Sequence, residues 1–243
     1  MNKSPKISVI IPVFNEVAKI QQCLQSLAQV AETVPYEVIV VDGDAQGSTI
    51  SGLSTLQYHN VLSFTAKLGR GIQMNAGARK AQGEILLFLH ADTQLQPQAL
   101  EMICAVLENP DYVGGAFDLN IDSAKWSLKT ISKVASLRSR MTRIPYGDQA
   151  IFLRQAYFHK IGGYPEIPIM EDVALMQKIK RCRGKIYIFC QAVRVSPRRW
   201  ENEGVLCCTL RNWLLLTCYY AGVDPHQLAA WYRPLSPRYS SHK

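Results

Sequence analysis

Residues 84–93, E-I-L-L-F-L-H-A-D-T, narrow the folds open to this chain more than any other stretch. Residues 85–89 are apolar without a break, and the run stops at a histidine, a small residue and an acid. A short run with no polar alternation must, as a strand, be covered on both faces, which is the habit of parallel sheets sandwiched between helices. Such sheets place their ligands beyond the carboxyl ends of the strands, where Asp92 falls. A carboxylate there can hold a divalent cation. Equally, His90 and Asp92 can cap a helix expected over residues 94–108, and the strand end alone does not separate the two readings.

The neighbouring segments read the same way. Residues 7–13 are β-rich and stop at Asn15; residues 17–31 repeat apolar positions at Ile20, Leu24, Leu27 and Ala31, the spacing of an amphipathic helix. Strands are predicted over residues 36–41 and 61–64, a helix over 71–81, and the opening strand over 84–89. Short connections between alternating strands and helices imply right-handed crossovers and a parallel sheet. Further helices are predicted over 97–107, 123–143 (one basic amphipathic helix or a pair) and 171–183, with strands over 113–119, 151–153 and 185–190. No linker composition interrupts this order. The expected organisation is an α/β domain over residues 1–204, a helical appendage over 205–235 and a frayed polar tail over 236–243.

A chain of 243 residues, 48% apolar, can bury one sizeable core. Residues 1–6 are polar and lack the shape of a signal peptide, and the seven cysteines include no C-x-x-C pair. Both features point to reduced thiols and a cytoplasmic protein. The net charge of +8 is uneven: residues 1–120 carry 7 basic and 11 acidic side chains, residues 121–243 carry 20 and 8. The second half is therefore suited to anions such as phosphates or acidic lipid head groups. No aromatic platform is interleaved with the basic residues, so nucleic acid is not an expected partner. The apolar stretch 205–223 has Arg211 and Asn212 at its centre, and a central arginine costs roughly 2.5–3.5 kcal/mol on insertion scales. It is expected to pack on the domain or to lie in a membrane interface with Trp213, Tyr219 and Tyr220 at its polar boundary, on the inner face of the cell membrane.

Three acids stand at strand ends or helix starts: Asp42, Asp92 and Asp172. Each alone is as good a cap as a catalyst. Their surroundings, however, form an ordered series: S-V-I-I-P-V-F-N-E at 8–16, V-V-D-G at 40–43, G-R-G-I-Q-M-N-A-G at 69–77, F-L-H-A-D-T at 88–93, G-D-Q at 147–149, G-G-Y-P at 162–165 and M-E-D at 170–172. Taken together these motifs resemble the inverting family 2 nucleotide-sugar glycosyltransferases. The resemblance implies a GT-A fold, a Rossmann-like, mostly parallel sheet flanked by helices, here with a C-terminal helical appendage. It further implies a nucleotide-diphosphate sugar donor, Mg²⁺ or Mn²⁺ as cofactor, and an acceptor that it does not identify, small or lipid-like. The combination of F-L-H-A-D-T, Y-G-D-Q at 146–149, P-I-M-E-D and R-R-W is similar to a compact bacterial subgroup labelled arsenosugar-biosynthesis or diaponeurosporenoate-type glycosyltransferases.

By that resemblance, Pro12, Phe14 and Glu16 wrap the nucleotide, Asp42 reads its base, and Arg70, Asn75, His90 and Ala91 lie near the donor. Asp92 matches the metal-binding acid of the family's D-x-D motif, whose first acid is here His90, a second candidate ligand because imidazole binds borderline metals. Asp172 is the base that takes the acceptor proton in inverting transfer, with Glu171 in support. Asp148 and Gln149 belong to the acceptor region. Ser196-Pro197-Arg198-Arg199-Trp200 resembles the Q-x-x-R-W motif of processive members without its glutamine. Arg198 and Arg199 would hold diphosphate or acceptor, and Trp200 would stack on a sugar unless it is a core residue. Other functions stay open from the sequence: a nucleotide-sugar-binding protein without turnover, and a basic membrane or nucleic-acid adaptor. Nucleotidyl transfer is disfavoured, because the Gly-rich, Lys-containing loop that holds a triphosphate is absent.

Overall fold

The computed structural model describes residues 4–30, 33–53 and 60–232; the predicted tail over 236–243 and the predicted helix end at Ala31 lie outside the described residues. Strand β1 (Ile7–Val13) is buried along its whole length. It pairs in parallel with β2 (Tyr36–Asp42) and with β4 (Ile85–Phe88), and β2 pairs in parallel with β3 (Val61–Thr65). Past β4 the sheet is mixed. β7 (Phe152–Arg154) runs antiparallel to both β4 and β6 (Tyr112–Ile121), β6 runs parallel to β8 (Lys185–Val195), and the two-residue β5 (Thr93–Gln94) pairs antiparallel with the far end of β8. The order across the sheet is β3-β2-β1-β4-β7-β6-β8-β5.

Successive side chains of a strand point to opposite faces, so an unbroken apolar strand serves two cores. Ile7, Val9, Ile11 and Val13 pack on one face with α1 (Val17–Val30), α4 (Ala99–Val106) and Leu128 of α5 (Trp126–Thr142). Ile10, Leu86 and Phe88 pack on the other with α3 (Arg70–Lys80), α6 (Gln155–Lys160) and α7 (Glu171–Arg181). Each fully buried large aliphatic or aromatic side chain contributes about 1.5–3 kcal/mol of burial, and this double layer fixes the strand ends that carry the polar loops.

Several elements depart from the pattern-based expectation. The helix expected from residue 94 begins only at Ala99, because Thr93 and Gln94 are drawn into the sheet by Val195 and Arg194, and Gln98 then turns through a left-handed φ of 64°. Of the two alternatives for residues 123–143, one helix or a pair, the single helix α5 is the one present. The strand expected over 185–190 continues to Val195, because β6 pairs with it past a register shift between Ala116 and Asp118. The short helices α2 (Ser48–Ser51) and α8 (Arg198–Glu203) have no counterpart in the sequence reading, while α10 (Pro225–Trp231) falls within the expected helical appendage.

Helix α9 (Val205–Tyr220) fills most of the apolar stretch. Cys208 enters one core cluster, while Leu216 and Tyr219 pack against the other, so α9 spans the two layers. Arg211 is turned inward, paired with Glu203 and set 4.9 Å from the Tyr232 ring centre. The outward face is apolar: Leu206, Leu210, Trp213 and Leu214 are all exposed. Among the described residues no helix is long and apolar enough to cross a membrane.

Candidate active site

The strand order reverses between β1 and β4, and the loops that leave the carboxyl ends on either side of that point form a crevice. After β1, Pro12 is still buried, Phe14 is 45% exposed, and Asn15 takes a left-handed φ of 53°. The loop is tied to α2 by two contacts: Ser48 Oγ donates to Asn15 Oδ1 at 2.6 Å, and the Glu16 N–H donates to Thr49 Oγ1 at 3.3 Å. The Glu16 carboxylate pairs with Lys19.

Asp42 ends β2 fully buried. Its Oδ1 accepts the Asp44 N–H at 3.0 Å, and its Oδ2 accepts the Thr49 and Ile50 N–H groups at 2.8 and 3.3 Å. The carboxylate therefore holds the start of α2 against the sheet. Beneath α3, Gln73 Nε2 donates to the carbonyls of Val13 and Val41 at 2.9 and 2.8 Å, drawing the ends of β1 and β2 together. Nothing in the motif spacing marks Gln73 for this role. Asn75 is spent in a similar way: its amide exchanges two 2.9 Å hydrogen bonds with the backbone of Tyr164. Gly163 beside it has a φ of 63°, and a Cβ there would come within 2.6 Å of Asn75 Oδ1, so only glycine fits.

His90, Ala91 and Asp92 follow β4. Ala91 is buried in the core, and the turn closes with the Thr93 N–H donating to the His90 carbonyl at 3.0 Å. β5 then fastens this turn to β8, and the Ser196 N–H donates to the Asp92 carbonyl at 3.3 Å. That contact brings Arg199 to the site, while Arg198 is exposed and Trp200 lies in the core at 9% exposure, not against the crevice. Burial, reinforced by the nearby charges of Arg70, Arg199 and Lys19 and opposed by Asp92, pushes the His90 imidazole down to about 4. It is therefore neutral at physiological pH and has a nitrogen lone pair to offer.

Glu171 and Asp172 open α7 behind Met170, whose φ is 65°. Asp172 Oδ2 accepts the Gly147 N–H at 2.7 Å and its Oδ1 accepts the Val173 N–H at 2.7 Å. Gly147 is the pivot of the site: a Cβ built on it would lie 3.1 Å from His90 Nε2 and 3.5 Å from Asp172 Oδ2. Two acids nearby are pushed above the usual carboxylate range. Burial and the Asp172 charge raise Glu171 to about 7 and Asp148 to about 6; Arg70 opposes the first shift, Arg138 and Arg199 the second. Gln149 is fully buried and donates to the Phe117 carbonyl at 2.8 Å and to Ser139 Oγ at 3.1 Å, so its amide ties the short 3-10 turn Gly147–Gln149 to α5 and β6.

The fold thus gathers Arg70, His90, Asp92, Asp148, Glu171, Asp172 and Arg199 around one crevice. Asn75, Gln149 and Trp200 spend their side chains on holding the fold. Tyr146 and Arg138 join the site without having been foreseen, their positions set by packing of α5 against the 3-10 turn. Among the described residues no three His, Cys, Asp or Glu side chains form a metal-holding group.

Comparison with known proteins agrees with this architecture. The profile described as Glycosyl transferase family 2 matches residues 8–164, more than half of the chain. The chain belongs to glycosyl transferase family 2. Relatives within the family include Glycosyltransferase AglE of Haloferax volcanii, 28% identical over 66% of this chain and 56% of its own. Another is the undecaprenyl-phosphate 4-deoxy-4-formamido-L-arabinose transferase of Proteus mirabilis, 27% identical over 65% of this chain and 51% of its own. The chain spans about half the length of these curated relatives. Among solved structures, S. aureus TarS 1-349 aligns with a TM-score of 0.63 at 19% identity, over 80% of this chain and 61% of that one. The mannosyltransferase PcManGT of Pyrobaculum calidifontis, in complex with GDP-Man and Mn²⁺, aligns with a TM-score of 0.62 at 21% identity, over 80% and 57%. The fold is GT-A: a mixed α/β architecture with a curled eight-stranded sheet flanked by helices.

Proposed function

We propose that this family 2 chain is an inverting glycosyltransferase that moves a sugar from a nucleotide-diphosphate sugar to a hydroxyl or carboxyl oxygen of a small or lipid-like acceptor. One observation carries the reading: Asp172 is pinned by the Gly147 N–H, and His90 and Asp172 both border the space beside the Gly147 α-carbon. A carboxylate fixed at a crevice floor beside the candidate donor turn is placed to take a hydroxyl proton as the oxygen attacks, and positioned bases of this kind are worth about 10²–10⁴-fold in rate. Arg70 and Arg199 supply positive charge where a diphosphate leaves. Phe14, Pro12, Glu16 and the loop held by Asp42 form the rim that would enclose the nucleotide, with Asn75 and Ala91 acting through backbone placement.

Support for a metal comes from the chemistry of the donor set. His90 is neutral and Asp92 is an acid on the same turn, a nitrogen and oxygen pair that suits Mn²⁺ better than Mg²⁺, which would draw on Asp92 alone. With two protein donors, the remaining positions would fall to diphosphate oxygens and water. A bound ion would neutralise the charge that builds on the leaving diphosphate. PcManGT, solved with GDP-Man and Mn²⁺, and TarS, solved with UDP-GlcNAc, lend this reading support by fold. In the same reading, residues 1–204 form the catalytic domain. Within the appendage, the bare apolar face of α9 meets a membrane surface, as suits a lipid-like acceptor like that named for the Proteus mirabilis relative.

The test is a panel of UDP- and GDP-sugars with and without Mn²⁺, following binding by calorimetry and release of nucleoside diphosphate with water as acceptor. Asp172→Asn is expected to lower turnover about 10²–10⁴-fold and leave donor affinity unchanged. Undiminished turnover would overturn the base assignment, and binding without any turnover in the unaltered protein would favour a sugar-nucleotide-binding role.

A further inference from the structure

Two sets of charges act at the site, and they meet at Asp148, on which both Arg138 and Arg199 bear. The cations that bear on His90 are Arg70, Arg199 and Lys19. Arg138 is absent from that group; the side chains that bear on it are Tyr146, Asp148, Asp172 and Tyr220. It projects from the last turns of α5 with its guanidinium carbon 3.3 Å from the centre of the Tyr146 ring. Such stacking fixes the plane of the guanidinium and leaves its edge for hydrogen bonding.

That edge is unspent. Among the described residues, Arg138 Nη2 is buried without a hydrogen-bond partner, and so is Asp148 Oδ1. The two groups lie close enough to influence each other yet do not pair. A cation and an acid taken out of water without partners are costly to maintain. The cost is explained if both edges face a ligand rather than each other.

We infer that Arg138 anchors the acceptor by an oxyanion, carboxylate or phosphate, which it holds through its free edge while Asp148 receives a hydroxyl of the same molecule. The inference rests on the glycosyl-transfer reading above. The cations that bear on His90, at the candidate donor turn, are Arg70, Arg199 and Lys19, and Arg138 is not among them. A single planar fork matches one carboxylate or one phosphate. Held there, the acceptor presents its attacking oxygen to Asp172. A bond forms from that oxygen to the anomeric carbon, and its proton passes to the Asp172 carboxylate. The carbon–oxygen bond to the diphosphate breaks with its electron pair staying on the nucleoside diphosphate. Arg138 exchanges no proton in this step and acts by binding.

The test uses the full chain with Mg²⁺ and a saturating nucleoside diphosphate, UDP or GDP, titrated calorimetrically with inorganic phosphate and separately with propionate. The unaltered protein is expected to bind at least one of the two, and preference between them tells phosphate from carboxylate acceptors. Arg138→Gln is expected to weaken that anion roughly 10- to 100-fold and to leave nucleoside diphosphate affinity unchanged; Arg138→Lys, which keeps the charge but loses the fork, falls between. No anion binding by the nucleotide-loaded protein, or unchanged anion binding in Arg138→Gln, overturns the inference. Should Arg138→Gln fail to fold, the unaltered protein still decides. Anion protection of Arg138 against phenylglyoxal, read by mass spectrometry, supports the assignment, and lack of protection refutes it. Failure to bind any nucleoside diphosphate would count instead against the glycosyltransferase reading, while the anion titration without nucleotide still reports on Arg138.

Discussion

Glu171 and Asp172 are sequence neighbours with different surroundings, and the difference predicts behaviour. Glu171 is 7% exposed, and burial together with the Asp172 charge lifts it from 4.5 to about 7. A carboxyl whose folded value is raised stabilises the fold below its unfolded value and loses that contribution as pH climbs through the folded value. Glu171→Gln is therefore expected to match the unaltered protein near pH 4 and to exceed it in stability at pH 8, by an amount on the order of 1–3 kcal/mol. Thermal or urea unfolding at the two pH values checks this; a difference that does not change with pH would show that the ionised form is not disfavoured. Gly147 makes a second residue-level prediction. An added methyl would press on the His90 ring at 3.1 Å while meeting Asp172 Oδ2 at an ordinary 3.5 Å contact, so the imidazole must give by a few tenths of an ångström. Gly147→Ala is expected to unfold within about 1 kcal/mol of the unaltered protein while turnover falls roughly tenfold or more, since small displacements of reacting groups are costly to rate. A normal rate in a normally folded variant would mean that the Gly147 gap is not tuned to the reaction.

At the scale of elements, what could be read from the sequence and what could not divide along a physical line. β1, β2 and β4 are buried on both faces, so their apolar runs and their ends are visible as composition, and His90, Asp92 and Asp42 follow from those ends. The start of α7 is visible because Glu171 and Asp172 precede the apolar positions Val173, Met176 and Ile179. β5 is not visible: two residues carry no period, and Thr93–Gln94 is a strand only because Val195 and Arg194 lie beside it. Arg138 was hidden for a related reason, since nothing local distinguishes it from Lys129, Lys133 or Arg140 on the same helix; its packing against Tyr146 does. Asn75 and Gln149 show the reverse case. They fall within motifs that suggested ligand contact, yet their amides are satisfied by the Tyr164 backbone and by Phe117 and Ser139.

Across the whole molecule, the basic excess of residues 121–243 and the outward face of α9 belong to the same half of the chain. Leu210 and Trp213 are 68% and 66% exposed, so replacing them removes little core packing. The double variant Leu210→Ser, Trp213→Ser is expected to keep its unfolding free energy within about 1 kcal/mol and to sediment about tenfold less with vesicles of phosphatidylcholine and phosphatidylglycerol. Equal sedimentation, or none by the unaltered protein, would remove the membrane from the account. The β5–β8 pairing has a consequence of another kind, in the timing of folding. Thr93 and Gln94 are held by Val195 and Arg194, and the Asp92 carbonyl by the Ser196 N–H, about a hundred positions further along the chain. Closing so long a loop carries an entropic cost that shorter-range pairings escape. During synthesis β1, β2 and β4 can associate once residue 88 has left the ribosome, but the turn bearing His90 and Asp92, seated by Ala91 in the core and by Cys23 Sγ at the Thr93 carbonyl, lacks its fastening to β8 until residue 196 exists. A ribosome-bound chain would thus hold a nearly complete parallel sheet whose rim at His90 and Asp92 is still incompletely fastened.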